Sequence, residues 1–365
     1  MELLELEAND VRIVGIHGKD GIGKTTIAKI IYDKISHLFD ACSFLMEIKE
    51  TMQQPGGVQY LQTKLIFDIW KREYEVASAF KGVRFLKEIF RSMKVLIVFD
   101  DVETGTLLKK FVGAKLDWFG SGSRIIVTSK ESRVLQGFVA QGLACTYDVS
   151  PMDDNLAFDF FWQCAATGKS YTLRSYVKSA IDIVKAAKGL PLLVEVFGSF
   201  LQYKGLEEWI KFKDLIQHFQ EDYQKILSVI YEALDQKQKQ MYLDIACFPP
   251  DVDCRIASHM WHHYDRPSDE IKVLRRMFLI KTEENKMGMH IMLRCLAREI
   301  IREGFHNPGT GVGLYGPALA QGTDKGKKET DHLNTEEAGF EFLPNTTFLC
   351  LGRANGALKT RSAFI

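Results

Sequence analysis

The chain has 365 residues, with 47 Lys and Arg balanced by 47 Asp and Glu for a formal charge of +0. That length allows two to three domains with substantial cores, and the charge balance excludes a global electrostatic pull toward nucleic acid or acidic lipid. Seven cysteines, an odd number with no C-x-x-C pair, predict a reducing cytoplasmic setting and buried thiols rather than a disulfide framework or a zinc site.

The N-terminus, Met1-Glu-Leu-Leu-Glu-Leu-Glu7, is acidic and lacks the basic-then-apolar pattern of a signal peptide. Short apolar runs then alternate with helical patterns, which predicts a parallel sheet covered by helices. The predicted strands are Val11–Ile16, Ala41–Met46, Lys94–Phe99, Arg124–Thr128 and Leu143–Val149. Leu61, Leu65, Ile66 and Ile69 are spaced for one helix face, and Val83, Leu86, Ile89 and Phe90 for another. Beyond Pro151 the strand signal fades. Asp153 or Asp154 can cap a helix through Phe158, Phe161 and Trp162, and Val177, Ile181 and Val184 are predicted to line the next. Gly189 is placed to end that helix and Pro191 to open another. The most apolar stretch, Leu190–Leu201, is broken by Pro191 and Glu195 and is too short to span a bilayer. From about Tyr223 to Glu303 the pattern is mainly helical; from Asn307 it is Gly-rich and weakly periodic.

The chemistry is concentrated after the first strand. Gly18-Lys-Asp-Gly21-Ile22-Gly23-Lys24-Thr25-Thr26 contains glycine, four residues, then Gly-Lys-Thr. The glycines let backbone N–H groups curl around a phosphate, Lys24 adds a point charge for the outer phosphates, and Thr25 offers a hydroxyl to Mg²⁺. The helix that follows turns its dipole toward the same anion. Gly18, Gly21, Ile22, Gly23, Lys24, Thr25 and Thr26 are therefore the candidate nucleotide contacts, and Val11, at the start of the preceding apolar run, is counted with them. A second motif agrees with the first: the buried run Val95-Leu-Ile-Val-Phe99 ends in Asp100-Asp101. In phosphoryl-transfer sites one such carboxylate holds the Mg²⁺ shell and a neighbour orients water. Asp100 is assigned to the metal and Asp101 to the base. Taken alone, the acid pair could equally be a solvated turn, and Gly189-Leu-Pro191 a simple turn between helices.

These motifs and four more, in order, resemble the nucleotide-binding switch domain shared by plant disease-resistance proteins and animal apoptosis activators. The others are Gly122-Ser-Arg-Ile-Ile-Val-Thr-Ser-Lys130, Gly189-Leu-Pro-Leu-Leu193, Tyr242-Leu-Asp-Ile-Ala-Cys-Phe248 and Met289-His290-Ile291. Glu103, rather than tryptophan, after Asp-Asp-Val favours the plant subgroup with a Toll/interleukin-receptor-like front end. The resemblance covers about Asp10 to Pro308. It implies an α/β P-loop nucleotide-binding domain over 1–150, a helical domain over 151–222 and a winged-helix domain over 223–306. Residues 307–365 would form a linker and the start of a leucine-rich repeat region, around Leu343–Leu351. It further implies closure around ADP, with Pro191 near the adenine or ribose, His290 at the β-phosphate and Lys130 at the γ-phosphate. Exchange for ATP would open the molecule for self-association and defence signalling, with at most slow hydrolysis.

Three departures stand out. Lys130 replaces the usual arginine, which keeps the charge and loses the bidentate fork. Leu193 replaces an alanine. Ile291 replaces an aspartate that could cap the helix predicted through Leu293, Leu296, Ala297, Ile300 and Ile301, a loss on the order of 1 kcal/mol. Two alternative readings are a conventional P-loop ATPase or kinase, which would need an acceptor-binding lid, and a decayed relative that folds without switching. No signalling domain precedes the first strand, which begins about ten residues in, so a fragment, a truncated product and an isoform all fit the sequence.

Overall fold

Strands covered on both faces read as apolar runs rather than alternating ones, and the three inner strands of the central sheet are buried in this way. In the computed structural model, which describes residues 2–165, 174–219, 222–248, 252–261, 267–283 and 285–306, five strands form one parallel sheet. They are β1 (Arg12–His17), β2 (Ala41–Leu45), β3 (Val95–Phe99), β4 (Arg124–Ser129) and β5 (Ala144–Asp148), in the order β2-β3-β4-β1-β5. Each lies within a residue or two of its predicted span. The helices between them are α1 (Lys24–Ile35), α2 (Ile48–Met52), α3 (Gly57–Trp70), α4 (Ala79–Phe90), α5 (Gly105–Val112) and α6 (Gln136–Val139).

The period of two sorts the strand residues between two cores. Ile13, Ile97, Phe99, Ile125 and Val127 point to one face, where Leu61, Leu65, Ile66 and Ile69 of α3 pack with Leu86 and Phe90 of α4 and Phe111 of α5. Val14, Ile16, Leu96, Val98 and Ile126 point to the other, against Ala28 and Ile35 of α1. Because β4 lies between β3 and β1, the chain leaves β1 in one direction and returns on its other side. The carboxyl ends of β1, β3 and β4 thus meet at a crevice, the usual ligand position of an open α/β sheet.

One buried charge fixes the N-terminal segment to this sheet. Arg124, at the start of β4, is fully buried. Its guanidinium donates to the carbonyls of Leu4, Glu5, Ala8, Asp10 and Ser123 and to the Asp10 carboxylate at 3.3 Å. Five N–H donors in a rigid fork can satisfy such a ring of carbonyls, which compensates the cost of removing the charge from water.

By backbone contacts the described chain divides into two units. The first holds the sheet through Ala157 and also Ala187–Val194; the second takes in Phe158–Ala186 and the chain from Glu195. Helices α7 (Asp154–Ala165) and α9 (Pro191–Leu201) contribute to both. Asp153 is the cap of α7, its Oδ1 accepting from Asn155 and Leu156 N–H at 3.0 Å each. Gly189 has φ +67°, and a Cβ there would lie 2.3 Å from the Met152 carbonyl oxygen, so glycine is required.

The second unit contains α8 (Arg174–Ala186), α10 (Leu206–His218), α11 (Tyr223–Glu232), α12 (Gln236–Cys247), α13 (Cys254–Met260), α14 (Pro267–Arg276) and α15 (Ile291–His306). It also holds a small antiparallel sheet of β6 (Val252–Asp253), β7 (Lys281–Glu283) and β8 (Lys286–Gly288), in the order β6-β8-β7. Trp209 of α10 is buried with Phe161 edge-on at 5.7 Å and donates from Nε1 to the Leu201 carbonyl at 3.2 Å. Tyr242 of α12 is buried and donates to the Leu293 carbonyl at 2.7 Å, fastening α12 to α15.

Two expectations are corrected. Val177 and Ile181 of α8 are 37% and 41% exposed; the buried face is Ala180, Ile183 and Val184. At α15, Ile291 is the first helical residue rather than its cap. The ring of His290 supplies the cap, Nδ1 accepting from the Met292 N–H at 3.2 Å. The expected start of a repeat region at Leu343–Leu351, with the rest of 307–365, lies outside the described residues.

Candidate nucleotide-binding site

The loop between β1 and α1 places its charged and hydroxyl groups at the carboxyl end of the sheet. Gly23 caps α1 with φ +99°, and a Cβ there would meet nothing within 4 Å. The glycine is there for backbone conformation, and the space it leaves is open toward the helix N-terminus, where N–H groups have no partner within the helix. Ile22 is buried and anchors the loop to the protein.

Lys24 is only 9% exposed. Its Nζ donates to the carbonyls of Gly18 at 2.8 Å and Lys19 at 2.9 Å, and stands 3.7 Å from Asp20 Oδ1. Burial lowers its pKa, opposed by the charges of Asp20, Asp101 and Asp100. Thr25 Oγ1 donates to Asp100 at 2.9 Å to one oxygen and 3.1 Å to the other. A hydroxyl and a carboxylate in contact, both hard oxygen donors, fit a Mg²⁺ shell. A buried ammonium beside a curled loop fits a phosphate. The residues present therefore suit a magnesium nucleotide.

Thr128 of β4 organises the acid pair. Its Oγ1 donates to Asp100 Oδ1 at 2.6 Å and accepts the Asp101 N–H at 2.9 Å. Burial raises the pKa of Asp100, partly offset by the hydrogen bonds from Thr128 and Thr25. Asp101 is pushed up to about 6 by burial and by the neighbouring Asp100 charge. Its φ of +60° is a left-handed conformation that Asp tolerates better than most residues. Beneath the loop, His17 at the end of β1 is buried, with Nδ1 2.7 Å from Ser129 Oγ at the end of β4. Burial lowers its pKa.

The predicted residues are distributed unevenly. Lys24, Thr25, Asp100 and Asp101 converge, and Lys130 joins them through Asp20: its side chain is 66% exposed, with Nζ 3.4 Å from Asp20 Oδ2. Pro191 opens α9, and the next residue, Leu192, donates its N–H to the Gly21 carbonyl at 3.3 Å, which brings the Gly189–Leu193 motif to the loop. Thr26 is exposed in the first turn of α1. Val11 precedes β1, at the opposite end of that strand from the loop. His290 belongs to the second unit. Sequence reasoning had assigned no role to Thr128, Asp20, His17 or Ser129. Thr128 carried one available signal, a polar residue inside an apolar strand.

A parallel sheet with this loop after β1, and an acid pair at the end of β3 two places away, defines a P-loop nucleotide-binding domain. Residues 2–170 match the NB-ARC domain family, and this part of the chain belongs to it. The chain is 36% identical over 316 residues to TMV resistance protein N of Nicotiana glutinosa, covering 82% of this chain and 26% of that protein. It is 32% identical over 341 residues to disease resistance protein RPV1 of Vitis rotundifolia, covering 91% and 24% respectively. The chain thus spans about a quarter of the length of these curated relatives. A solved STAND protein (signal transduction ATPase with numerous domains) with a tetratricopeptide repeat sensor from Pyrococcus horikoshii shares the fold. It matches at TM-score 0.50 and 14% identity, over 81% of this chain and 41% of that one. Among the described residues no helix is long and apolar enough to cross a membrane.

Proposed function

We propose that this chain is the ADP/ATP-dependent switch region of a plant disease-resistance protein, resting with ADP and active with ATP. The observation that carries the reading is the contact of Thr25 with Asp100 beside the buried Lys24, supported by kinship to disease-resistance proteins over most of the chain. Lys24 and the loop N–H groups bind the phosphates, and Thr25 and Asp100 hold Mg²⁺, which when bound neutralises phosphate charge. Asp101 orients and deprotonates water, with turnover far below the typical enzyme median of about 10 per second. The resemblance adds three proposed contacts: Lys130 for the γ-phosphate, Pro191 for the adenine or ribose and His290 for the β-phosphate. It also proposes the helical and winged-helix assignments for 151–222 and 223–306, a cytoplasmic setting, and self-association on activation with signalling and repeat domains as partners.

The test is the nucleotide that co-purifies with the protein, released by denaturation and identified chromatographically. Retained ADP supports the switch. An empty site that turns over an added acceptor rapidly supports a kinase instead.

A further inference from the structure

The phosphate loop carries a charge that phosphate-binding chemistry does not require. Asp20 lies between Gly18 and Lys24, and its two oxygens address two different cations: Oδ1 is 3.7 Å from Lys24 Nζ and Oδ2 is 3.4 Å from Lys130 Nζ. An ammonium has three donors. Two of those of Lys24 go to the carbonyls of Gly18 and Lys19, and Asp20 stands beside the remainder. One carboxylate inside the loop therefore offsets part of the positive charge that a phosphate would meet.

We propose that Asp20 is a built-in competitor for the phosphates, a tethered carboxylate that a nucleotide must displace from Lys24 and Lys130, and that it weights the site toward the diphosphate. The inference rests on the nucleotide reading above. Both nucleotides need Lys24. Only the triphosphate carries a further anionic group to bring against Asp20 and toward the exposed end of Lys130. Freeing Lys130 and removing the like charge thus favours ATP more than ADP. The bland reading is a solvated loop acid in a surface pair, and such pairs are weak and salt-screened. Burial of Lys24, at 9% exposure, argues against it on the Lys24 side, since screening is smaller for buried charge. A third reading makes Asp20 a helper of Mg²⁺ binding, which predicts the opposite effect.

The experiment is titration of fluorescent ADP and ATP, with and without Mg²⁺, against the parent chain, Asp20→Asn, Lys130→Gln and the double variant. Asp20→Asn should tighten ATP by roughly tenfold and ADP by only about two- to threefold. The extra gain for ATP should largely disappear in the Lys130→Gln background. Unchanged or weakened binding of both nucleotides overturns the proposal, as does an equal gain for both that persists without Lys130. Weakening seen only with Mg²⁺ also overturns it, in favour of the metal reading. Asp20→Ser, paired with thermal melts of all variants, guards against a folding artefact in the asparagine variant. A parent chain that binds neither nucleotide overturns the nucleotide reading and this inference with it; parent binding with an unmoved ADP-to-ATP ratio in both Asp20 variants removes only the competitor.

Discussion

Thr25 and Asp100 are 75 residues apart and joined by a hydrogen bond of 2.9 Å, which links the first turn of α1 to the end of β3. The contact brings the β1–α1 loop and a strand that ends in carboxylates to one point.

Lys24→Ala should lower nucleotide affinity tenfold or more, since a hydrogen bond involving a charge contributes about 1.5–3 kcal/mol. Without nucleotide the melting temperature should hardly fall, because the lost partners are two loop carbonyls and Asp20, which keeps its pair with Lys130. Nucleotide content of the purified variant equal to that of the parent would contradict the site.

The two acids should separate in Mg²⁺ dependence. Asp100→Ala removes the acceptor of both Thr25 and Thr128 and should weaken the Mg²⁺-dependent part of ATP binding. Asp101→Ala should slow hydrolysis and leave binding nearly intact. Single-turnover hydrolysis and Mg²⁺ titrations on both variants check this, and identical Mg²⁺ profiles would rule out the division of roles.

Asp101 also gives a pH signature. Its carboxyl titrates at about 6, above its ordinary value of 3.8, so the folded protein holds this proton to higher pH than the unfolded chain. Stability from this group is therefore present at acid pH, declines as pH rises from about 4 to about 6, and stays lost above. Asp101→Asn should raise stability at pH 7 by on the order of 1 kcal/mol or more, a few degrees of melting temperature, and give no gain at pH 4. Hydrolysis runs the other way: a base must be ionised, so the parent rate should fall as pH drops through about 6, and the asparagine variant should be slow and flat. Asparagine tolerates the left-handed backbone at this position.

His290→Ala should cost the second unit about 1 kcal/mol by removing the cap of α15, an effect visible in a melt without any nucleotide. With the cap in place, Ile291→Asp gains only the helix-dipole contribution of about 0.3–1 kcal/mol, set against lost burial of a half-buried side chain. A stability change larger than about 1 kcal/mol in either direction would show that Ile291 does something other than open the helix.

Arg124→Ala should leave the carbonyls of Leu4 and Ala8 without their guanidinium donor, with Glu5 keeping the Ala8 N–H, and cost at least about 2 kcal/mol. Hydrogen exchange should accelerate first in residues 2–10, ahead of the sheet. Uniform loss of protection across β1, β3 and β4 would mean that Arg124 supports the whole domain rather than one segment.

The inner strands were legible because two-sided burial writes Val95–Phe99 and Ile125–Val127 as continuous apolar runs, a signal that survives without any knowledge of partners. The face of α8 was misread because its buried residues include Ala180, which adds little to an apolar pattern, while the bulkier Val177 and Ile181 face outward. Lys24, Thr25 and the acid pair were legible because phosphate chemistry demands those types at that spacing. Thr128 was not, because its importance lies in a hydrogen bond to residues 27 and 28 positions away, and Asp20 was not, because an acid in a loop looks like any solvated charge. The cap of α15 went to the wrong residue by one position, the usual uncertainty of a helix boundary.

The double service of Thr128 has a mechanical consequence. One hydroxyl on β4 grips the Asp100 side chain and the Asp101 backbone, and the same strand runs straight into Ser129 and Lys130. The Lys130 backbone is thereby tied to the acid pair through Thr128 and Ser129, while its ammonium sits at the end of a flexible four-carbon stem. A shift of β4 would therefore move the base of Lys130 and the anchor of both acids together, with a single threonine as their shared point.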